Sequence, residues 1–121
     1  MWYDVYRGGD NVTVDEWKSQ IRRGSMELCV LALIQSAPRY GYELISSLEG
    51  WPILSAKEST IYPLLRRLMK EGFLTSFWQE TAEGLPPRKY YSITPAGQDY
   101  LAAMWAEWDN LVAAMAAVKG E

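Results

Sequence analysis

Few side chains in this sequence are equipped for covalent or acid–base chemistry. The 121 residues contain no histidine and one cysteine, so the usual general base and the commonest metal ligand are missing. Cys29 lies in the apolar run 28–34 with no neighbouring cation or base to lower its pKa. That setting predicts a reduced, buried core residue, not a nucleophile. Neither a phosphate-binding glycine loop nor a dinucleotide fingerprint occurs. The sequence therefore predicts a protein that is not an enzyme and holds no cofactor or metal. What remains is binding chemistry, and it concentrates between residues 55 and 70. At helical spacing, Ile61, Leu64, Leu65 and Leu68 share about 100° of arc and face a core. Ser59, Tyr62, Pro63, Arg66 and Lys70 occupy the opposite arc, with Arg67 at its edge. Such a helix fits the major groove of B-DNA, where arginine pairs with guanine and hydroxyls meet bases or phosphates. A merely solvated helix face has the same composition, so the surrounding elements decide.

Those elements read in order as helix, helix, helix, strand, strand, helix. Residues 1–12, with Gly8-Gly9-Asp10-Asn11, form a flexible arm that carries Trp2, Tyr3, Val5 and Tyr6. Thr13 and Glu16 have capping-box spacing, and Trp17, Ile21, Leu28 and Leu31 share one face of a single helix that reaches about Gln35 before Pro38 ends it. A second helix spans about 40–48, followed by a turn with Gly50 and Pro52. Ser55 and Glu58 form a second capping box, opening a third helix that runs to Lys70 and stops at Gly72. Pro63 inside that helix forfeits a bond to residue 59 and crowds its carbonyl. Either the helix begins near Thr60 or its first turn is irregular. Residues 73–80 and 89–93 read as antiparallel strands around a loop with Gly84, Pro86 and Pro87, so Tyr90 and Tyr91 point to opposite faces. Thr94-Pro95 starts a final helix that reaches about Val118.

A short helix, a turn, a groove-fitting helix and a hairpin make up a winged helix-turn-helix. The expected fold is mainly α with a small β-hairpin, a winged helix-turn-helix plus a C-terminal dimerisation helix. The expected division is an arm (1–12), a DNA-binding domain (13–94, its helix 13–36 contributing to the dimer) and a dimerisation helix (95–121). Arg88 and Lys89 stand at the wing, where cations meet backbone phosphate. The net charge of −3 runs against DNA binding, but residues 38–92 carry seven cations against six carboxylates, while residues 93–121 carry four carboxylates against Lys119. That acidic balance keeps one alternative in view, a winged helix used for protein contacts without DNA. In the last helix, Leu101, Met104, Trp105, Trp108, Leu111, Val112 and Met115 form an apolar stripe. With Trp17 they are the expected interface of a homodimer, whose two recognition helices would lie about 34–36 Å apart on a palindromic site. The longest apolar run is seven residues, too short to span a bilayer, and Asp4, Arg7 and Asp10 replace a basic-then-apolar leader. A cytoplasmic protein without a membrane partner is expected.

Four ordered motifs carry a family resemblance: Arg39-Tyr40-Gly41-Tyr42-Glu43-Leu44; Glu58-Ser59-Thr60-Ile61-Tyr62-Pro63-Leu64-Leu65-Arg66-Arg67-Leu68; Glu71-Gly72; and Pro87-Arg88-Lys89-Tyr90-Tyr91-Ser92-Ile93-Thr94. Over about residues 14–112 the chain resembles the PadR family of bacterial repressors, in the subfamily with one C-terminal helix. The resemblance implies a winged helix that contacts double-stranded DNA through Tyr42, Ser59, Thr60, Tyr62, Arg66 and Lys89. It also implies response to a small planar aromatic effector, with Trp108 as the stacking residue. Trp105 is either its companion or an interface anchor. Ser59 stands where the family commonly has glycine, as does Pro86-Pro87 in the wing.

Overall fold

Apolar residues from every long helix and from the hairpin converge on one core in the computed structural model, which describes residues 12–120. In chain order these form α1 (Val12–Ser36), β1 (Arg39–Tyr40), α2 (Gly41–Leu48), a 3-10 turn (Pro52–Leu54), α3 (Glu58–Lys70), β2 (Leu74–Gln79), β3 (Arg88–Ile93) and α4 (Pro95–Lys119). Of the arm expected at residues 1–12, residues 1–11 lie outside the described residues; α1 already includes Val12, so Thr13 lies within the helix and is not the cap that its spacing to Glu16 suggested. The core is filled by Val30, Leu31 and Ile34 of α1, Leu44, Ile45 and Leu48 of α2, and Ile61, Leu65 and Leu68 of α3. Leu74, Tyr91 and Leu101 close it from the sheet and α4.

α3 continues through Pro63 because burial outweighs the local penalty. Proline in a helix interior costs about 3 kcal/mol, whereas Ile61, Leu65 and Leu68 are fully buried, each worth roughly 1.5–3 kcal/mol. The helix begins at Glu58, neither at Ser55 nor at Thr60. Its first turn is tightened, since the Lys57 carbonyl accepts both the Thr60 N–H (2.9 Å) and the Ile61 N–H (3.0 Å). The capping box expected from Ser55 and Glu58 is not formed. Lys57 occupies the cap position without a side-chain bond, and the Ser55 hydroxyl donates instead to the Pro52 carbonyl at 3.1 Å, closing the 3-10 turn.

The sheet has three strands in the order β1-β3-β2, all antiparallel, where the sequence indicated a two-stranded hairpin. β1 is two residues long, pairing Arg39 with Tyr91 and Tyr40 with Tyr90, too short to show a period. β2 and β3 pair from Leu74↔Ile93 to Gln79↔Arg88. The Thr81 hydroxyl reaches the Pro86 carbonyl at 2.9 Å, closing the wing loop on itself. Thr94 caps α4 as its sequence signal indicates, accepting from the Gly97 N–H at 3.0 Å and donating to the Gly72 carbonyl at 2.6 Å. One side chain thus fixes α4 to the end of α3.

Candidate nucleic-acid interface

α3 lies between two different neighbours, and each fixes one of its edges. On one edge Arg67 reaches α1, pairing with Glu27 at 3.0 Å and with Glu71, the residue that caps the C-terminus of α3, at 3.0 Å. Glu27 also accepts the Tyr100 hydroxyl at 2.8 Å, so one carboxylate joins α1, α3 and α4. Arg67 is a structural cation, consistent with its place at the margin of the outward arc. On the other edge Tyr62 closes on α2. A Cβ at Gly41 would lie 2.6 Å from the Tyr62 hydroxyl oxygen, so glycine is what lets the ring approach.

Between these edges, Ser59, Pro63, Arg66 and Lys70 are exposed, as are Thr60 on the α1 side and Tyr42 on α2. Tyr62 is half-buried, so only part of the ring faces outward. Burial, then the charge of Glu58, pushes its hydroxyl pKa above the ordinary value. The Tyr91 hydroxyl is also pushed up, by burial first and then by Tyr62, while Arg66 pulls it down. Tyr62, Arg66 and Tyr91 therefore lie within electrostatic reach of one another where α3 meets the sheet.

Strand alternation separates the two wing cations. Lys89 shares a face with buried Tyr91, its Nζ 5.8 Å from that ring centroid, and this is the face turned toward α3. Arg88 lies on the other face, its guanidinium 4.5 Å from the Tyr40 ring. There Tyr40 meets Tyr90 edge-on at 5.4 Å and Phe77 stacks on Tyr90 at 5.7 Å. Arg88 and Lys89 are thus not a side-by-side pair, and only Lys89 joins the side of Arg66. Trp78, directly across from Lys89 and largely exposed, joins it there. Strand alternation in β2 was the signal that could have identified Trp78.

The expected interface residues divide. Leu101 is fully buried within its own chain and is a core residue, not an interface residue, because its turn of α4 sits over Phe73 and the sheet. Met104 is half-buried at the core margin. Trp17 and Ile21 of α1 and Trp108, Leu111, Val112 and Met115 of α4 line one hollow of about 540 Å³, all of them exposed. Trp105 lines a different hollow, of about 250 Å³, with Cys29, Trp51 and Leu54. The two tryptophans do not share a pocket. Cys29 is half-buried there instead of fully enclosed, and desolvation pushes its thiol pKa up, away from reactivity. Among the described residues, no cluster of histidine, cysteine or carboxylate side chains is arranged to hold a metal ion, and no helix is long and apolar enough to cross a membrane.

Two helices joined by a turn, the second carrying an exposed polar arc, and a hairpin whose inner face meets that second helix define the winged helix-turn-helix class of DNA-binding proteins. Within it, the chain belongs to the PadR-like family of transcriptional regulators, whose family model matches residues 30–103. The crystal structure of a PadR family transcriptional regulator from Eggerthella lenta superposes with a TM-score of 0.81 at 32% identity, covering 91% of this chain and 95% of that one. A PadR-like transcriptional regulator from Bacillus cereus gives a TM-score of 0.76 at 31% identity, over 84% of this chain and 98% of that one. The negative transcriptional regulator PadR of Bacillus subtilis is 33% identical over 79 residues, 63% of this chain and 42% of that protein. These relatives are transcriptional regulators, and the fold is a DNA-binding one.

Proposed function

We propose that this regulator is a cytoplasmic, homodimeric repressor that reads a palindromic operator with α3 in the major groove and performs no catalytic step. The observation that carries this reading is the position of Arg66. It is exposed on α3 opposite the buried Ile61, Leu65 and Leu68, one turn from Tyr62 and within electrostatic reach of Tyr91. An exposed arginine there has the reach for a guanine edge. Ser59, Thr60, Lys70 and Tyr42 supply hydrogen bonds to bases or phosphates, and Lys89 supplies a wing contact. Arg88, on the far face of the wing, makes at most a peripheral phosphate contact.

The dimer is supported by the apolar surface that α1 and α4 leave uncovered. Trp17, Ile21, Trp108, Leu111, Val112 and Met115 are all exposed and line one hollow, an apolar patch of the kind that marks an interaction site. A second copy related by a two-fold axis is the occupant that would cover it while holding two α3 helices about one DNA turn apart. On this division residues 13–94 form the DNA-binding domain, whose helix α1 contributes to the dimer, and residues 95–121 dimerise. Repression is supported by the name of the Bacillus subtilis relative. A small planar aromatic effector, stacked on Trp108 in the α1–α4 hollow, is the regulating ligand we assign. Trp105 anchors the interface from its separate hollow.

The test is retention of genomic DNA. The purified protein should enrich short duplexes with two-fold symmetric sequences. The Arg66→Ala/Lys89→Ala variant should lose that retention while light scattering still reports a dimer. Enrichment of no duplex would favour a protein-contact module, and a double variant that turns monomeric would show that these cations face the partner subunit. For the effector, Trp108→Ala should abolish fluorescence quenching by planar aromatic compounds, and unchanged affinity would remove that assignment.

A further inference from the structure

The outward arc of α3 and the wing do not account for the cationic cleft on the other side of the recognition helix. Arg22 and Arg23 of α1 face Ser55, Lys57 and Thr60 across a cleft of about 400 Å³. Three cations line it and no carboxylate does, in a chain with 15 acidic and 12 basic residues. Among the described residues Arg23 and Lys57 make no ion pair. Glu16 borders the adjoining hollow beside Arg23, and Glu58 follows Lys57 in sequence. Arg22 is held in place, its Nε donating to the Ile53 carbonyl at 2.8 Å, which leaves its terminal nitrogens for other acceptors.

Geometry indicates what these cations face. A helix with its side chains is about 10–12 Å across and the major groove is about 12 Å wide. Elements flanking a groove-bound helix therefore lie against the sugar-phosphate backbones on either side. α2 and the wing flank the Tyr62 edge of α3, and α1 flanks the opposite edge through Arg67–Glu27 and the Thr60 cleft. On α1, residues 19, 22, 23 and 26 lie half a turn around from residues 17, 21, 24 and 28. A dimer built on the Trp17 face leaves the arginines uncovered.

We propose that Arg22, Arg23 and Lys57 form a phosphate clamp that grips the DNA backbone on the α1 side of the recognition helix. This makes α1 a DNA-contacting element in addition to a dimer element. The inference rests on the DNA-binding reading above, and the experiment separates the two. Duplexes enriched by the protein, and shuffled versions of them, are titrated by fluorescence anisotropy across a salt series with wild type, Arg23→Gln/Lys57→Gln and Arg66→Ala. Both clamp residues are exposed, so the double exchange should leave the melting curve unchanged. Each lost phosphate contact reduces the slope of log K against log salt by about 0.9. The clamp variant should therefore be shallower by about 1.8 per half-site, or about 3.6 for a dimer on two half-sites, so the affinity loss between about 50 and 200 mM salt shrinks about tenfold for each half-site. It should weaken enriched and shuffled duplexes equally, whereas Arg66→Ala should narrow the gap between them. A clamp variant with the wild-type slope, beside an Arg66→Ala that still loses discrimination, overturns the clamp and leaves the DNA-binding reading standing. If wild type binds no duplex, both are overturned.

Discussion

Replacing Gly41 by alanine should displace Tyr62 and weaken DNA binding far more than it weakens the fold. The added methyl would lie 2.6 Å from the Tyr62 hydroxyl oxygen, where comfortable carbon contacts need roughly 3.5–4.0 Å. The ring must move by about 1 Å or more. The ring ends a side chain that turns about two bonds and is half-exposed, so it can swing outward while α2 and α3 keep their spacing. Overpacking costs about 1–3 kcal/mol where neighbours cannot yield. Here the lower end applies, about 1 kcal/mol, partly offset by alanine's better helix propensity at the start of α2. Tyr62 then leaves its place beside Arg66, and affinity for an enriched duplex should fall about tenfold, equivalent to about 1.4 kcal/mol. The assay is a double-mutant cycle with Tyr62→Ala, followed by thermal melting and by anisotropy. Once the ring is gone the methyl has nothing to strike, so Gly41→Ala should cost little more on the Tyr62→Ala background, a coupling of about 1 kcal/mol. Strictly additive effects in both assays would show that the ring does not rest on Gly41.

Two further predictions concern the frame that holds α3. Gly97→Ala should be much the more damaging glycine exchange, at about 3 kcal/mol in denaturant titrations. Its Cβ would collide with the Phe73 backbone carbonyl and lie 2.7 Å from Ile93 Cγ1, and backbone cannot swing aside. A loss below about 1 kcal/mol would mean that α4 starts further from the sheet than described. The hydrogen bond to Glu27 and then burial raise the Tyr100 pKa above its ordinary value of 10.0. The folded chain therefore holds that proton more tightly than the unfolded one. Its contribution is complete below pH 10.0 and is lost as pH rises from there through the folded-state pKa. Tyr62 and Tyr91 act in the same direction. Tyr100→Phe should cost about 1 kcal/mol at neutral pH and flatten the alkaline loss of stability, and an unchanged alkaline slope would remove the Glu27 bond from the account.

How much of this was legible beforehand depended on whether the signal was local. The leucine spacing of α3, the Thr94-Pro95 start of α4 and the alternation of Tyr90 and Tyr91 are encoded within one or two turns of chain, and all three appear as read. Glu27 binds Arg67 and Tyr100, 40 and 73 residues away, and nothing in its neighbourhood announces either partner. The Ser55 capping box failed for a related reason. The 3-10 turn before it captured the serine hydroxyl, a competition that a capping pattern does not contain. Leu101 was misplaced because a stripe of apolar residues on α4 does not reveal where the body of the protein ends. Its first turns pack on Phe73 and the sheet, and only those beyond Met104 project from the core. Arg88 and Lys89 could have been separated from the start, since neighbours on a strand face opposite ways.

The central claim is that α3 enters the major groove with Arg66 at a guanine edge. Methylation interference tests it most directly, because methylating guanine N7 blocks the atom that a major-groove arginine reads. With duplexes enriched by the protein, methylation should abolish binding at guanines in two half-sites about one helical turn apart, and Arg66→Ala should relieve the block at one guanine in each. Binding indifferent to N7 methylation everywhere, or an interference pattern that Arg66→Ala leaves unchanged, would contradict it.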